Sequence, residues 1–261
     1  VRREVARNST AALPRRLALR LDAEKYAHQE DALCRSADLV TAITPAEVEA
    51  YREHFPRQRY LCLTPGYDGP CHADREITSA TPRRVVMSGS FEWIAKRINL
   101  ERFLAQAAEP LRQAGIGLQI VGKTDETFRR EMEQRFPGVD FVGRVPEMSP
   151  YLLDARMGLI VEEFGGGFKL KTLEYLFHGL PLAGLVQAVE GLPLRSPEHL
   201  VLEPDVPALI AAVVDAIDDL GRLNAMRTTA LAICREAFRW DDRGRRLHEE
   251  ILALRGIALA G

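Results

Sequence analysis

An α/β fold built on a doubly wound parallel sheet is what the sequence predicts, and three observations predict it. Short apolar runs recur at 85–87, 118–121, 139–142, 158–161, 182–186 and 199–202, the pattern of strands buried on both faces. The spacers carry helical apolar spacing at 100–113, 126–136, 149–155, 169–178 and 206–220, so strands and helices alternate as crossover connections require. Glycines follow several of the runs, at Gly89, Gly122, Gly143 and Gly165 to Gly167, where backbone can approach a ligand closely. Six strands joined in this way form one nucleotide-binding domain with its crevice at the carboxyl ends of the strands.

Ahead of that domain the elements are fewer. Residues 15–37 read as a long helix and 38–44, DLVTAIT, as a short buried strand. Pro45 opens a helix at its first turn, and that helix ends near residues 54–56. Residues 59–64, RYLCLT, form a second strand, after which Pro65, Gly66, Tyr67, Asp68, Gly69 and Pro70 break regular structure and a polar stretch runs to Pro82. An interdomain linker is therefore expected at 67–82, with a small domain at 1–66, the six-stranded domain at 83–238, and a terminal segment at 239–261. Helices at 225–238 and 241–254 complete the chain, and no internal repeat is visible.

Composition excludes several classes. The 261 residues hold 35 basic and 37 acidic side chains, a formal charge of −2, too near zero for a nucleic-acid partner. Cys34, Cys62, Cys71 and Cys234 lack metal or disulfide spacing, and no two of the six histidines are placed to share a metal. No metal site is expected, and a reducing cytoplasm is the default compartment. No apolar run is long enough to span a membrane. Six arginines in the first twenty residues, at 2, 3, 7, 15, 16 and 20, leave a peripheral contact with anionic lipid open, although a solvated helix face explains them as well.

The segment 161–182, VEEFGGGFKLKTLEYLFHGLPL, carries the most chemistry. A strand ends at 161, Gly165, Gly166 and Gly167 leave no side chain in the way, and Phe168 leads into a helix whose first N–H groups carry partial positive charge. Phosphate is the natural ligand of such a place. Lys171 and Glu174, with Thr172 between them, share the first two turns, offering a cation for phosphate and a carboxylate for sugar hydroxyls. A surface ion pair would explain the Lys and Glu alone, whereas the glycines and the apolar strand favour a ligand site.

This segment resembles the donor-binding element of the retaining glycosyltransferases of the GT-B fold, in particular the large family 4 group. Leu173-Glu174 and Gly179-Leu180-Pro181 stand where that family has Leu-Glu and Gly-x-Pro. ADLVTAIT and PGYD resemble the end of its first domain, and Phe238-Arg239-Trp240 its terminal helix crossing back to that domain. The resemblance implies a Rossmann-like C-terminal domain of GT-B type with a partial N-terminal domain, most of whose usual strands are missing here. In that family the later Glu, here Glu174, holds the donor ribose. The earlier Glu lies eight positions before it, where this chain has Gly166, so Glu163 is the candidate for its catalytic role.

The same resemblance assigns Gly89 and Ser90 to the donor phosphates and Lys96 to the diphosphate, as a second catalytic group. The usual Arg falls at Ser90 or Phe91 and is absent, so Lys171 or Lys169 would replace it, with Arg97 a weaker substitute. Gly143, Arg144 and Val145 fall in the loop that holds the nucleobase, where Arg144 could stack on the base; Gly122-Lys123 lies on the same rim or is a simple turn. The implied activity is transfer of a hexose-type unit, with retention and without metal, from a nucleotide-diphosphate sugar to a bacterial glycan, lipid-linked or small-molecule acceptor, as in polysaccharide biosynthesis. It would take place in the cytoplasm or at the inner membrane surface, and a homodimer is left open. Two further readings stand beside it: a non-catalytic nucleotide-sugar-binding subunit and a sugar-nucleotide epimerase. A nicotinamide dehydrogenase is disfavoured, because no G-x-G-x-x-G follows a strand.

Overall fold

The computed structural model describes residues 6, 13–163 and 167–256. In chain order its elements are α1 (Leu13–Ser36), β1 (Val40–Ala42), α2 (Pro45–His54), β2 (Tyr60–Cys62), β3 (Arg84–Ser88), α3 (Ile94–Gln113), β4 (Gly117–Val121), α4 (Glu126–Arg135) and β5 (Val139–Gly143). There follow α5 (Ser149–Leu153), β6 (Met157–Ile160), α6 (Leu170–Phe177), β7 (Leu182–Leu185), β8 (Val201–Glu203), α7 (Val206–Ala216), α8 (Leu220–Ala237) and α9 (Trp240–Leu254). The chain divides into two units: Val1–Asp68 with Gly165–Phe168 and Phe238–Gly261, and Gly69–Phe164 with Lys169–Ala237.

In the first unit β1 and β2 pair in parallel, Val40 opposite Tyr60. Helix α2 starts where its sequence requires. Thr44 Oγ1 accepts from Glu47 N at 3.2 Å while Glu47 Oε2 accepts from Thr44 N at 3.2 Å, a reciprocal capping box with Pro45 at the first helical position. Helix α9 belongs to this unit: a Cβ on Gly66 would lie 2.7 Å from the Trp240 ring, so only glycine lets the indole seat there. Arg243 Nε donates to Thr64 O at 2.9 Å, and Tyr67 N donates to Phe238 O at 2.9 Å. Leu13, Leu17 and Leu21 stand exposed on α1; Arg2, Arg3 and Arg7 of the basic cluster lie outside the described residues.

The second unit is a six-stranded sheet in the order β5-β4-β3-β6-β7-β8, every pair parallel. The expected doubly wound architecture is present, and its winding reverses between β3 and β6, which opens the ligand crevice of such sheets at their carboxyl ends. The central strands carry the core: Val85, Val86, Met157, Leu159, Ile160, Leu182 and Ala183 are fully buried. Gly158 on β6 is where the Tyr175 ring of α6 lies flat against the sheet, because a Cβ there would run into that ring.

Boundaries differ from the sequence reading most at three places, all in the second unit. Helix α3 starts at Ile94, six residues before the expected 100, and within it Asn99 is buried with its Oδ1 accepting from Glu163 N at 3.0 Å. Helix α8 starts at Leu220 where 225 was expected, and Asn224 brackets Ile77, accepting from its N–H at 3.0 Å and donating to its carbonyl at 2.8 Å. Most of the expected linker, 67–82, is fixed within the second unit. Arg75 Nη1 donates to Gly179 O at 3.1 Å and Nη2 to Leu153 O at 3.1 Å, capping the ends of α6 and α5, and Ile77 is buried.

Two glycine substitutions should separate packing from backbone entropy. Gly158→Ala pushes a methyl into the Tyr175 ring and is expected to lower the unfolding free energy by about 2 kcal/mol or more. Gly244→Ala, exposed in α9 with nothing near its Cβ position, is expected to raise it by about 0.5–1 kcal/mol. Urea unfolding of both variants measures each change.

Candidate functional site

Three loops meet where β3, β4 and β5 end. Gly89 N donates to Val121 O at 3.0 Å, Phe91 N to Lys123 O at 2.8 Å, and Gly122 N to Gly143 O at 2.8 Å. The approach is so close that a Cβ on Gly122, at φ 138°, would collide with Gly89 O. Gly143, at φ 81°, faces open space. Ser90 and Arg144 are exposed and Gly89 and Val145 half-buried on this rim.

Beneath the first loop lies a buried hydrogen-bond chain. Tyr175 OH donates to Ser88 Oγ at 2.8 Å and accepts from Ser88 N, and burial pushes the Tyr175 hydroxyl well above its usual range. Ser88 O accepts from Lys171 Nζ at 3.1 Å. The turn after β3 is thus fixed from below by two residues of α6, neither of which lies near it in sequence.

The strongest electrostatic feature sits at the end of β6. Glu162, only 6% exposed, accepts at Oε1 from Lys96 Nζ at 2.6 Å and from Lys171 Nζ at 2.8 Å. Its Oε2 is buried with no hydrogen-bond partner among the described residues. Burial alone would raise the Glu162 carboxyl, but the ammoniums of Lys171 and Lys96 outweigh it and hold the group far below the ordinary carboxylate range. Lys171 is pulled down by burial, against which Glu162 supports its charge. Lys169, at the N-cap of α6, is likewise lowered by burial and feels the same carboxylate and ammoniums. Two ammoniums on one carboxylate leave an excess positive charge at the switch point.

The expected site residues divide accordingly. Lys96, from the first turn of α3, and Lys171, from that of α6, are brought together. Glu163 is not brought to them: its carboxylate pairs with Arg102 Nη1 at 3.1 Å, and the cluster takes Glu162 in its place. Thr172 is buried and its hydroxyl donates to Lys169 O at 2.6 Å. Glu174 is half-buried, and burial raises its carboxyl above the usual value. Arg97, the weaker candidate, donates to Phe91 O at 3.0 Å and lies over the Phe128 ring. Lys123 pairs with Glu92 at 2.9 Å. In the first unit Gly167 has φ 83° and Phe168 packs against Phe238 with ring centroids 5.6 Å apart; Gly165 and Gly166 lie outside the described residues.

Sequence reasoning missed Tyr175 and the role of Glu162. The only signal for Glu162 was an acidic residue directly after an apolar strand. His178 caps α6 and is buried, its Nδ1 bonded to Glu174 O at 2.7 Å and its Nε2 to Ser149 Oγ at 2.8 Å. Among the described residues no three His, Cys, Asp or Glu side chains are grouped to hold a metal ion. No helix among them is long and apolar enough to cross a membrane.

Residues 82–219 match the family model for glycosyl transferases group 1. The chain belongs to that family. Its fold is of GT-B type, as solved structures show. It is similar to TarM of S. aureus at 13% identity over 89% of this chain and 46% of that one, with a TM-score of 0.71. The pneumococcal O-GlcNAc transferase GtfA, solved with UDP and GlcNAc, is 17% identical over 84% of this chain and 45% of its own, at a TM-score of 0.65. Sucrose-phosphate synthase of Thermosynechococcus elongatus is 21% identical over 97% of this chain and 66% of its own, at 0.67. The chain thus spans about half to two thirds of the length of these proteins. No curated protein matches it.

A pH dependence follows from the Glu162 carboxyl. Its proton affinity is lower folded than unfolded, so the unfolded chain takes up more protons as the pH falls. Its contribution is complete above the ordinary carboxylate range and is lost progressively as the pH drops through and below that range. Urea unfolding across this range should show a fall in stability that is smaller in Glu162→Gln; equal slopes for the two proteins would remove Glu162 as a source.

Proposed function

We propose that the second unit binds the donor of a glycosyltransferase reaction, a nucleotide-diphosphate sugar, and that the whole protein transfers the sugar, a hexose-type unit, to a glycan, lipid-linked or small-molecule acceptor with retention. The observation that carries the reading is the convergence of Lys96 and Lys171 at the switch point of a doubly wound sheet, in a chain of the glycosyl transferases group 1 family. Structures of similar fold have been solved with UDP, as for HepE of Anabaena with UDP and glucose, 15% identical over 85% of this chain and 65% of its own. The diphosphate would lie against Lys96 and Lys171 with its oxygens facing the loop at Gly89 and Ser90. Gly143, Arg144 and Val145 would flank the base, and Glu174 would accept from the ribose hydroxyls.

The chemistry asked of these residues is charge stabilisation. As the bond from the anomeric carbon to the diphosphate oxygen breaks, its electron pair moves onto that oxygen and the sugar gains oxocarbenium character. Two ammoniums in a partly buried setting stabilise the developing negative charge without reorganising, which is the work a divalent metal would otherwise do. The acceptor hydroxyl adds to the same face of the sugar, and its proton passes to the departing diphosphate oxygen. No carboxylate nucleophile is invoked. A second reading, nucleotide-sugar binding without turnover, is favoured by Gly166 in the place of the family's earlier Glu.

Calorimetric titration with UDP, GDP, dTDP and ADP in metal-free buffer tests the binding reading, with selective micromolar affinity for one of them expected. Glu174→Ala should weaken that binding by about 1–3 kcal/mol while leaving the unfolding transition in place. An unchanged dissociation constant would take Glu174 out of the site. Sugar transfer from the matching donor separates the transferase from the non-catalytic reading.

A further inference from the structure

Two lysines that reach one carboxylate repel each other, and their flexible side chains would turn outward to water unless something held them. Glu162 is placed to hold them. It lies two residues past β6 and is buried, and a single oxygen collects both ammoniums, Lys96 at 2.6 Å and Lys171 at 2.8 Å. Lys171 has Ser88 O as a further partner and a side chain only 15% exposed, while that of Lys96 is 34% exposed and reaches the surface. The other Glu162 oxygen is buried without a hydrogen-bond partner among the described residues. An ion pair kept only for stability would be expected to satisfy that oxygen, since an orphaned buried acceptor is costly.

We infer that Glu162 is a positioning residue: it holds Lys96 and Lys171 side by side as a two-ammonium grip on the donor diphosphate, without itself touching the reacting atoms. This rests on the donor-site reading above. The charged groups acting on the pair are Glu162 after β6 and Lys169 before α6; Tyr175 on α6 feels Glu162 and Glu174, and Glu190, after β7, acts on Lys169. Of these, only Glu162 bonds both ammoniums. Its removal leaves Lys171 beside Lys96 in a buried place with no anion, where a lysine gives up its proton more easily.

The sign of the effect makes the test sharp. Were Glu162 only a neighbouring negative charge, Glu162→Gln would tighten the binding of an anion. Positioning requires the opposite. Titration of the chain with UDP and with pyrophosphate, in metal-free buffer from about pH 6 to about pH 9, is expected to show the Gln variant weaker by about tenfold at the upper end and closer to wild type at the lower end, as Lys171 regains its proton. Equal or tighter binding by the variant overturns the inference. A loss of the same size at every pH, with the circular dichroism spectrum unchanged, supports positioning through geometry alone. Should Glu162→Gln fail to fold by circular dichroism, Glu162→Asp decides: it keeps the charge but draws it back by one methylene, and unchanged affinity for both probes overturns positioning. Wild-type chain that binds neither probe overturns the donor-site reading and the inference with it. Wild type that binds while the variant matches it removes the inference alone.

Discussion

A carboxylate taken out of water at the end of a buried strand must find cations, and much of the second unit is arranged around how Glu162 finds them. Its partners come from two helices on either side of the switch point, Lys96 from α3 and Lys171 from α6. Lys171 in turn bonds the carbonyl of Ser88, whose amide and hydroxyl are held by Tyr175. One buried charge therefore ties β3, β6, α3 and α6 together at the level where the sheet opens. Such a cluster is weak evidence for stability, because desolvation offsets much of the attraction. It is stronger evidence for a site, since strongly perturbed groups gathered in a crevice are what ligand chemistry needs.

The loops above the cluster are constrained in a different way. Gly89, Gly122 and Gly143 are joined edge to edge through backbone hydrogen bonds, and the approach of Gly122 to Gly89 O excludes any side chain there. Glycine backbone lined up at the carboxyl ends of parallel strands presents no bulk, which leaves room for a ligand to approach closely. Below, Tyr175 lies against Gly158, so the helix that brings Lys171 and Glu174 sits close to the sheet. The position of these side chains depends on one missing Cβ in β6 as much as on the residues themselves.

Most strands and helices were legible because their signals are local. Alternating apolar runs and spacers mark the elements, Thr44-Pro45 with Glu47 marks a capped start, and Gly179 at φ 62° ends α6 as its sequence suggests. Boundaries failed where a polar residue was drawn inside by a distant partner. Asn99 and Asn224 stand just ahead of the expected helix starts at 100 and 225, yet each is helical and bonds backbone from another part of the chain. Arg75 in the expected linker is similar: a polar stretch reads as loop, while in the structure its guanidinium serves carbonyls at the ends of two helices.

The candidate site divides along the same line. By itself the sequence determined which cations and glycines would stand at the carboxyl ends of the strands, because strand, turn and helix start are set by neighbours a few residues apart. Lys171, Glu174, Gly89 and Gly143 were readable in that way, and Lys96 through the family resemblance. Only the tertiary structure decided between Glu162 and Glu163. Successive residues leaving a strand point to opposite sides, so one of them had to turn to the lysines and the other to Arg102. Which one does so depends on where α3 and α6 pack, and no local pattern contains that.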